Sequence, residues 1–463
     1  MAQDVAPKEQ RIRDPVHGLI VFSATDPFEQ LIWRLLNSRE CQRLRRIRQL
    51  GFSELVYPGA THSRFAHSVG VFHTARILVQ LLKKKLSGDF LEERAQVAAC
   101  AALLHDVGHG PFSHTFEGVL KQYGRPKKHE KWTVEIIRGQ TEIAEILQIY
   151  DERNGTSLVK DVANLLEQEY PSDIYSSVVS SQFDADRLDY LRRDKLMSGT
   201  EHGGFDWDWL LNNLEIEDLT IGSDGSEDHI EVPGFVVGHK GLKAAEAYLI
   251  GRFHLYTQVY MHKTTRGAEK MLAALLGRVA ELASGELSED TGLPDGHPLQ
   301  MYFKSDAPEL DQYLFLDDTL IYGALPFLTS ATDSVVRELA QRLQSRQLYK
   351  CLDVGARAFG RRGDAMARFH RLLSKATGNG GLSKVDVLID REKVSAYKFH
   401  EYESKDALEK IIIRRPDDER TFDDIAQVSD VVKAIGVEEI FRVYGRTPEV
   451  MARLEALWEE ACK

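Results

Sequence analysis

Two histidines and two aspartates stand in three motifs that are well separated along the chain. His67 lies in HSRFAHS, the adjacent His105 and Asp106 lie in LLHDVGHGPFSH, and Asp186 lies in FDADRLDYLRRD. Neutral imidazoles and carboxylates together suit one divalent cation, of Mn, Fe, Co, Ni or Zn, and leave coordination positions for water and a phosphate oxygen. The sequence therefore predicts a metal site that carries out metal-assisted phosphoester hydrolysis.

The motif around His105 and Asp106 crowds titratable groups at one helix end. Residues 95–104 read AQVAACAALL, which is apolar enough for a buried helix that delivers both side chains into the interior. Glycines and a proline then break the helix, while His109 and His114 stay close by. A hydrogen-bonded helix end without metal is the alternative, and the number of converging titratable groups disfavours it.

The motif that contains Asp186 predicts a helix over residues 183–194. On that helix Asp186, Tyr190 and Asp194 recur every four residues and share one face, with Arg187 beside them. A metal ligand, an aromatic hydroxyl, an acid and a cation would thus face the same space.

A second stripe with the same spacing follows later in the chain. Arg252, Tyr256 and Tyr260 recur every four residues, and Lys263 comes three residues after the last of them. Tyrosines at this spacing are otherwise typical of a packed core. Two cations on the same stripe favour a binding surface, because a buried aromatic stripe seldom needs them.

The elements that must position these residues are mostly helices. Near the start, DPVHGLIVFS predicts a hairpin, and residues 28–36 show helical apolar spacing. Asn37 and Ser38 then offer a cap for an arginine-rich helix that we expect Gly51 to end. The apolar positions of that helix would bury one side of it.

Further along, residues 64–86 predict a long helix that carries His67, and another helix begins near Glu92. Residues 216–232, with the turn SDGSED, predict a second hairpin, and residues 240–276 predict one long helix. From about residue 385, VDVLID and IIIRR predict strands. The expected fold is mainly α, with a helical core over residues 1–350, small β-hairpins, and a C-terminal α+β lobe over residues 351–463.

The composition favours a cytoplasmic enzyme. The chain has 463 residues, and an apolar content of 43% can fill a sizeable core. No uninterrupted apolar run reaches membrane-spanning length, and the polar start MAQDVAPKEQR lacks a secretory segment, so we expect no membrane partner. Four widely separated cysteines form no CxxC pattern, which argues against a disulfide framework and a thiolate zinc site.

The net charge restricts where a phosphate could bind. The 59 basic and 71 acidic residues give −12, so any phosphate site must be locally positive. The run RLRRIRQ supplies such a cluster, with Arg64, Arg187, Arg252 and Lys263 in the other motifs. A solvated helix face is the alternative interpretation of the arginine run.

The ordered series of motifs resembles a known family. RDPVHGLI, QRLRRIRQLG, HSRFAHSVGV, LLHDVGHGPFSH, KKHEKWT, FDADRLDYLRRD and YTQVYMHK occur in the order found in the HD-domain deoxynucleoside triphosphate triphosphohydrolases, which include a vertebrate antiviral member and bacterial relatives. The similarity is strong over residues 11–263 and weaker beyond. The pair His105 and Asp106 alone is shared by many phosphohydrolases, whereas the whole series is far more specific.

The resemblance implies an HD-domain helical core and the hydrolysis of a dNTP to a deoxynucleoside and inorganic triphosphate. It implies that His114 is the proton donor to the leaving 5′-oxygen, that His129 and Glu117 orient it, and that His109 lies in the same pocket. Mg²⁺ would accompany the substrate triphosphate as a further ion.

Ten positions match substrate contacts of the family. They are Arg64, Arg187, Arg252 and Lys263 at the phosphates, Gln49 and Asp194 at the 3′-hydroxyl, Tyr190 and Tyr260 at the deoxyribose, and Leu50 and Tyr256 in the same pocket. A tight aromatic wall would reject a 2′-hydroxyl by steric clash and desolvation. Arg187 stands where the vertebrate protein has lysine, and the geometry of the two cations differs.

The resemblance also implies a homo-oligomer, a dimer or a tetramer, with a nucleotide activator bound at a subunit interface. Asn37, Gln42, Arg45 and Arg346 match the positions that serve this allosteric site. Asn37 is a departure, because the vertebrate protein has there an aspartate that reads a guanine edge, and an amide is not a pure acceptor.

Three other functions remain open at this point. The first is an HD phosphohydrolase of another nucleotide, such as an alarmone, a cyclic dinucleotide or a monophosphate. The second is a nucleic-acid-binding protein or nuclease that uses the arginine run, against which the negative net charge counts. The third is a catalytically silent nucleotide sensor, which the complete set of metal ligands disfavours.

Overall fold

The computed structural model describes residues 8–463 except 169–170, 202, 222–229, 284, 286–289, 359–364, 379–380, 396, 398–409 and 417–420. Helices dominate the described residues and the sheets are small, which confirms the mainly α fold class. Among the described helices, none has the length and the low charge that a bilayer crossing demands.

The N-terminal part begins with the predicted hairpin and continues as helices. Strand β1 (Gln10–Asp14) pairs antiparallel with β2 (Gly18–Phe22). The helices that follow are α1 (Pro27–Leu36), α2 (Arg39–Arg43), α3 (Arg64–Leu86), α4 (Glu92–Leu104), α5 (His114–Gln122), α6 (His129–Arg138), α7 (Glu142–Asn154), α8 (Leu158–Glu167), α9 (Ala185–Ser198) and α10 (Trp207–Asn212).

The rest of the chain mixes strands and helices. Its strands are β3 (Leu214–Ile221), β4 (Ile230–Val237), β5 (Lys350–Asp353), β6 (Val387–Ser395), β7 (Ile412–Arg414), β8 (Phe422–Asp424) and β9 (Val437–Gly445). Its helices are α11 (Leu242–Leu255), α12 (Lys263–Ala283), α13 (Pro298–Lys304), α14 (Leu310–Leu314), α15 (Asp318–Leu328), α16 (Ser334–Gln344), α17 (Val354–Ala358), α18 (Ala365–Gly378), α19 (Ile425–Val428), α20 (Asp430–Ile435) and α21 (Pro448–Ala461). The turn SDGSED of the second hairpin lies outside the described residues.

The sheets tie the C-terminal region to the rest of the chain. Strands β5, β9 and β6 form an antiparallel sheet whose apolar side packs on α18 and α21. Strands β7 and β8 instead extend the β3–β4 hairpin, with β7 parallel to β4. The α+β character of this region is confirmed. The boundary at residue 350 stays a prediction, since β7 and β8 complete a sheet that begins before it.

The arginine-rich helix is shorter than the sequence predicts. It does not run to Gly51, because α2 ends at Arg43 and a 3₁₀ turn (Leu44–Arg46) follows. The next residues are extended, and Gln49 N donates to the His62 carbonyl at 3.0 Å. Backbone pairing with the segment before α3 therefore replaces the last helical turns.

The single helix predicted over residues 240–276 is also wrong, since α11 and α12 are separate. Between them Tyr256–Tyr260 form a π-helical turn, in which Met261 N donates to the Tyr256 carbonyl at 2.9 Å. His262 Nδ1 then accepts from Thr264 N at 3.2 Å at the start of α12. Such turns are frequent at functional sites, because they shift side chains off the regular helical stripe.

Two clusters of buried apolar side chains meet at α3 and α4, and a third lies beyond the loop that follows α4. One cluster joins α3 and α4 to α1, α6, α7 and α8, and a second joins α3 and α9 to α11 and the β3–β4 hairpin. The third joins α5 and α12 to α13, α14, α15 and α16. The motifs that carry the predicted metal ligands therefore lie between clusters, on helices that are packed from several sides.

A buried ion pair fixes α9 against α3. Asp189 and Arg193 lie one helical turn apart with fully buried side chains, and Arg193 Nε donates to Asp189 Oδ2 at 2.8 Å. Gly70 on α3 leaves room for them, since a Cβ there would lie 2.1 Å from Asp189 Oδ1 and 2.2 Å from Arg193 Nη2. Because His67 is one turn before Gly70, this contact also sets the spacing of the two helices at His67.

We predict that Gly70→Ala destabilises the fold by about 2 kcal/mol or more, because the methyl group would displace a buried ion pair. Gly323→Ala is the matched control: Gly323 is also helical, in α15, and a Cβ there meets nothing within 4 Å. We expect this variant to be unchanged or slightly more stable. Urea unfolding measures both, and a Gly70→Ala protein as stable as the unsubstituted chain would contradict the analysis.

Candidate active site

The four predicted metal ligands converge from three helices. His67 comes from α3, His105 and Asp106 follow the last residue of α4, and Asp186 is in the first turn of α9. Asp186 Oδ1 lies 2.9 Å from His67 Nε2 and 3.7 Å from His105 Nε2. The Asp106 carboxylate lies 3.2 Å from His105 Nε2 and 3.9 Å from His67 Nε2. The structure therefore brings together residues up to 119 positions apart in sequence.

Both imidazoles turn the same nitrogen toward this cluster. Nδ1 of His67 lies 2.9 Å from Asp189 Oδ2, and Nδ1 of His105 lies 2.9 Å from the Ala102 carbonyl. Acceptors on Nδ1 keep a proton on that nitrogen, so Nε2 is the nitrogen whose lone pair can bind a metal ion. The two Nε2 atoms are buried and make no hydrogen bond to any described residue. Two aimed lone pairs beside two carboxylates fit a divalent metal ion.

The electrostatics of the cluster also favour a cation. Burial lowers the pKa of His67, but the Asp186 and Asp189 carboxylates outweigh it and raise that pKa to about 10. Without a metal ion, His67 therefore carries a second proton on Nε2, which a divalent cation would replace. Burial raises the pKa of Asp106, yet His105 and Arg64 hold it well below its usual range. The carboxylates are thus ionised, and they attract positive charge to the position between the imidazoles.

The four residues that the resemblance assigns to catalysis form a second group beside the first. His114 Nδ1 lies 3.2 Å from Glu117 Oε2, and His129 Nδ1 lies 2.7 Å from Glu117 Oε1. The ring of His109 stacks on that of His129 with centroids 3.7 Å apart, and His109 Nε2 lies 3.2 Å from Asp106 Oδ1. The side chain of His114 is 74% exposed, so it can reach a bound molecule.

Charges in this second group differ from one residue to the next. Burial raises the pKa of Glu117, but its hydrogen bonds to His114 and His129 lower that pKa well below the usual range. Burial and the Arg64 charge hold the pKa of His109 well below its usual value, so this imidazole is neutral. Two further groups each bring three possible ligand atoms within 4.8 Å of one another. One is Asp106, His109 and His129, and the other is His114, Glu117 and His129. Glu117 already occupies His129 Nδ1, so the first cluster is the better metal site.

Arg64 contacts the cluster, Arg187 follows Asp186 in α9, and Arg252 lies near Arg187. Arg64 is buried, and it donates to Asp106 Oδ2 at 2.5 Å and to Ser113 Oγ at 2.9 Å. Arg187 is held by the Asp184 carboxylate and donates to the Ser181 carbonyl at 2.5 Å. Arg252 donates to Gln182 Oε1 at 3.2 Å. Their positive charge is therefore local, as the sequence requires of a phosphate site in an acidic protein.

The predicted sugar contacts form a polar and aromatic wall. The rings of Tyr190 and Tyr260 meet edge to face with centroids 6.3 Å apart. Asp194 accepts from Tyr260 Oη at 2.6 Å and lies 2.9 Å from His62 Nε2. Gln49 Oε1 is buried without a hydrogen bond to any described residue. The structure thus brings Tyr190, Tyr260 and Asp194 together.

The other expected contacts lie at the edges of this region. Tyr256 packs on Tyr260 with centroids 5.1 Å apart, Leu50 is half-buried, and Lys263 is exposed at the start of α12. Of the predicted allosteric residues, Arg45 Nε donates to Gln42 Oε1 at 2.8 Å. Asn37 ends α1 and is exposed, and Arg346 donates to the Leu55 carbonyl at 2.9 Å.

Sequence reasoning missed Asp189, Arg193 and His62. Asp189 and Arg193 have the i,i+4 spacing of a helical ion pair, so this signal was available within FDADRLDYLRRD. His62 gives no comparable signal, because its contact with Asp194 joins residues 132 positions apart. Arg43 belongs to the arginine run, but it is buried and donates to the Leu316 and His109 carbonyls. It supports the position of His109 and does not face a phosphate.

Comparison with family models finds two matches. Residues 64–191 match the HD domain, and residues 228–291 match the HD associated region. The first match contains all four predicted metal ligands.

Comparisons with whole proteins also find similar chains. YwfO of Bacillus subtilis is 34% identical over 349 residues, which cover 75% of this chain and 72% of YwfO. The deoxynucleoside triphosphate triphosphohydrolase SAMHD1 of Gallus gallus is 29% identical over 380 residues, or 73% of this chain and 55% of SAMHD1.

A crystal structure of a phosphohydrolase from Bacteroides thetaiotaomicron has a TM-score of 0.71 and 26% identity, and covers 95% of this chain and 100% of that one. A hypothetical protein from Aquifex aeolicus has a TM-score of 0.67 and 24% identity, covers 98% and 99% of the two chains, and shares the fold. The chain therefore belongs to the HD-domain phosphohydrolase family, which includes YwfO and the SAMHD1 enzymes.

Proposed function

We propose that the protein is a metal-dependent dNTP triphosphohydrolase, which converts a dNTP and water into a deoxynucleoside and inorganic triphosphate. The observation that carries the proposal is that the metal-ligand cluster and the predicted sugar contacts lie next to each other. Two imidazole nitrogens lie beside carboxylates without a hydrogen bond to any described residue. Tyr190 and Asp194 lie on the same helix as Asp186, and Tyr260 donates to Asp194 from the π-helical turn. Helix α9 would therefore contribute both to the hydrolytic centre and to the sugar contacts.

His67, His105, Asp106 and Asp186 would hold one divalent ion of Mn, Fe, Co, Ni or Zn. When bound, such an ion supplies Lewis acidity to a phosphoryl oxygen and lowers the pKa of a water molecule. The chain contributes the orientation of both imidazoles through Asp189 and Ala102, so that their lone pairs need no rearrangement.

His114 would supply the proton that the departing nucleoside 5′-oxygen needs when water attacks the α-phosphorus. Its Nδ1 is held by Glu117, which His129 holds in turn, so the Nε2 side of the ring is left to face a ligand. Glu117 thus orients the ring of His114 for proton donation, the role of a general acid.

The arginines would neutralise the phosphates, and the tyrosine wall would select the sugar. Arg64, Arg187 and Arg252 have protein partners in the structure, so each would exchange a protein acceptor for a phosphate oxygen. Lys263 would reach the same phosphates, and Mg²⁺ would accompany them. Against Tyr190 and Tyr260 a 2′-hydroxyl would lose its water without gaining a partner.

Nucleotide activation and assembly into a dimer or tetramer belong to the same proposal. Their support is the similarity to SAMHD1 and the exposure of Asn37 and Arg45 on adjacent segments. This chain spans 55% of the length of the Gallus gallus SAMHD1, so these properties rest on the matching positions alone.

The proposed reaction is tested by its products. Protein reconstituted with Mn²⁺ is incubated with each dNTP and each NTP, with and without the others as activators, and the phosphate product is separated by ion exchange. We predict equal amounts of deoxynucleoside and inorganic triphosphate from dNTPs, and turnover of NTPs lower by about 100-fold because of the tyrosine wall. Release of pyrophosphate or phosphate would instead indicate an HD phosphohydrolase of another nucleotide.

A pair of variants separates metal binding from proton donation. We predict that His105→Ala loses both the bound metal and turnover, because it removes a ligand. His114→Ala keeps the metal and loses about 10²–10⁴-fold in turnover, because only the proton donor is missing. Metal content by mass spectrometry and single-turnover rates measure the two effects. Loss of metal from His114→Ala, or full metal content in His105→Ala, would contradict the assignment.

A further inference from the structure

A histidine in the turn of the N-terminal hairpin contacts Asp189, the residue that orients the predicted metal ligand His67. His17, between β1 and β2, has a side chain that is 2% exposed, and its Nε2 lies 2.6 Å from Asp189 Oδ1. The two residues are 172 positions apart in sequence. Asp189 is the residue that accepts from Nδ1 of His67. The hairpin and a predicted metal ligand therefore share one buried carboxylate.

The Asp189 carboxylate has a full set of partners. Its Oδ2 lies 2.9 Å from His67 Nδ1 and 2.8 Å from Arg193 Nε, and its Oδ1 lies 2.6 Å from His17 Nε2 and 3.0 Å from Arg193 Nη2. A carboxylate has about four lone-pair positions, and the structure fills them all. Removal of any one donor would leave a buried acceptor unsatisfied and free the carboxylate to rotate.

The turn itself is fixed independently of His17. Asp14 Oδ1 accepts from the backbone of Val16 at 2.9 Å and of His17 at 3.0 Å, and Asp14 Oδ2 accepts from Arg193 Nη1 at 2.8 Å. Asp14 therefore closes the turn and docks it on α9. The imidazole of His17 is free of that task, so its bond to Asp189 can serve the orientation of the carboxylate.

We propose that His17 is a positioning residue for the metal ligand His67 and acts through Asp189. His17 and Arg193 hold the carboxylate in the plane in which it accepts from His67 Nδ1. That bond places the lone pair of His67 on Nε2, toward Asp106 and Asp186. The inference rests on the metal site of the proposed function, but it does not depend on which nucleotide is hydrolysed.

A donor swap at residue 17 tests the proposal. His17→Phe keeps the ring but has no donor, whereas His17→Gln places an amide N–H about where Nε2 of histidine lies. Metal-free full-length protein is titrated with Mn²⁺ by calorimetry. We expect the dissociation constant to rise about 10–100-fold in His17→Phe and to stay within about three-fold in His17→Gln.

Phe369→Leu controls for a general loss of stability, because Phe369 is fully buried in the C-terminal cluster with Phe441 and Trp458. We expect this variant to unfold at lower urea concentration and to bind Mn²⁺ normally. If His17→Phe does not fold, His17→Asn replaces it, since its shorter amide is polar but cannot reach Asp189.

Two results would overturn the proposal: normal Mn²⁺ affinity in the variant without a donor, or an equal loss of affinity in His17→Gln. An unsubstituted protein that binds no divalent metal would overturn both this proposal and the metal site. A protein that binds Mn²⁺ but hydrolyses no dNTP would refute the proposed substrate alone, and the comparison of affinities would stand.

Discussion

The hydrogen bond between His67 Nδ1 and Asp189 is the interaction on which the candidate site depends. It decides which nitrogen of the imidazole faces the cluster, and the Ala102 carbonyl does the same for His105. Without these acceptors either ring could present a proton instead of a lone pair. Because both rings are held by Nδ1, both Nε2 atoms face the carboxylates of Asp106 and Asp186, where they lack a hydrogen-bond partner among the described residues. This arrangement suits a bound cation.

The rest of the structure serves this arrangement through buried charge. A buried carboxylate is costly unless it is paired and hydrogen-bonded, and Asp189 is both, through Arg193 and the two histidines. Gly70 lets the pair approach the backbone of α3 closely. Packing of α3 on α9 and orientation of a metal ligand are thus consequences of the same contact. Asp14 connects the first hairpin to it.

Much of this could be predicted from the sequence, because the signals are local. The helix that carries His67 lies where the sequence predicts it, over Arg64–Leu86. The spacing of Asp186, Tyr190 and Asp194 predicts a helix over residues 183–194, and the structure has it over Ala185–Ser198, because Asp184 caps its start. The convergence of their side chains followed from chemistry alone, since imidazoles and carboxylates in buried motifs need partners. The π-helical turn at Tyr256–Tyr260 could not be predicted, because the apolar pattern continues through it. Contacts such as His17 with Asp189 depend on tertiary packing across 172 residues, which no local pattern encodes.

The central claim is that four side chains from three helices bind one divalent ion. Anomalous diffraction from crystals grown with Mn²⁺ tests it most directly. We expect one strong peak about 2 Å from Nε2 of both His67 and His105 and from the carboxylates of Asp106 and Asp186. A peak between His114, Glu117 and His129 instead, or no peak at the first cluster, would contradict the account.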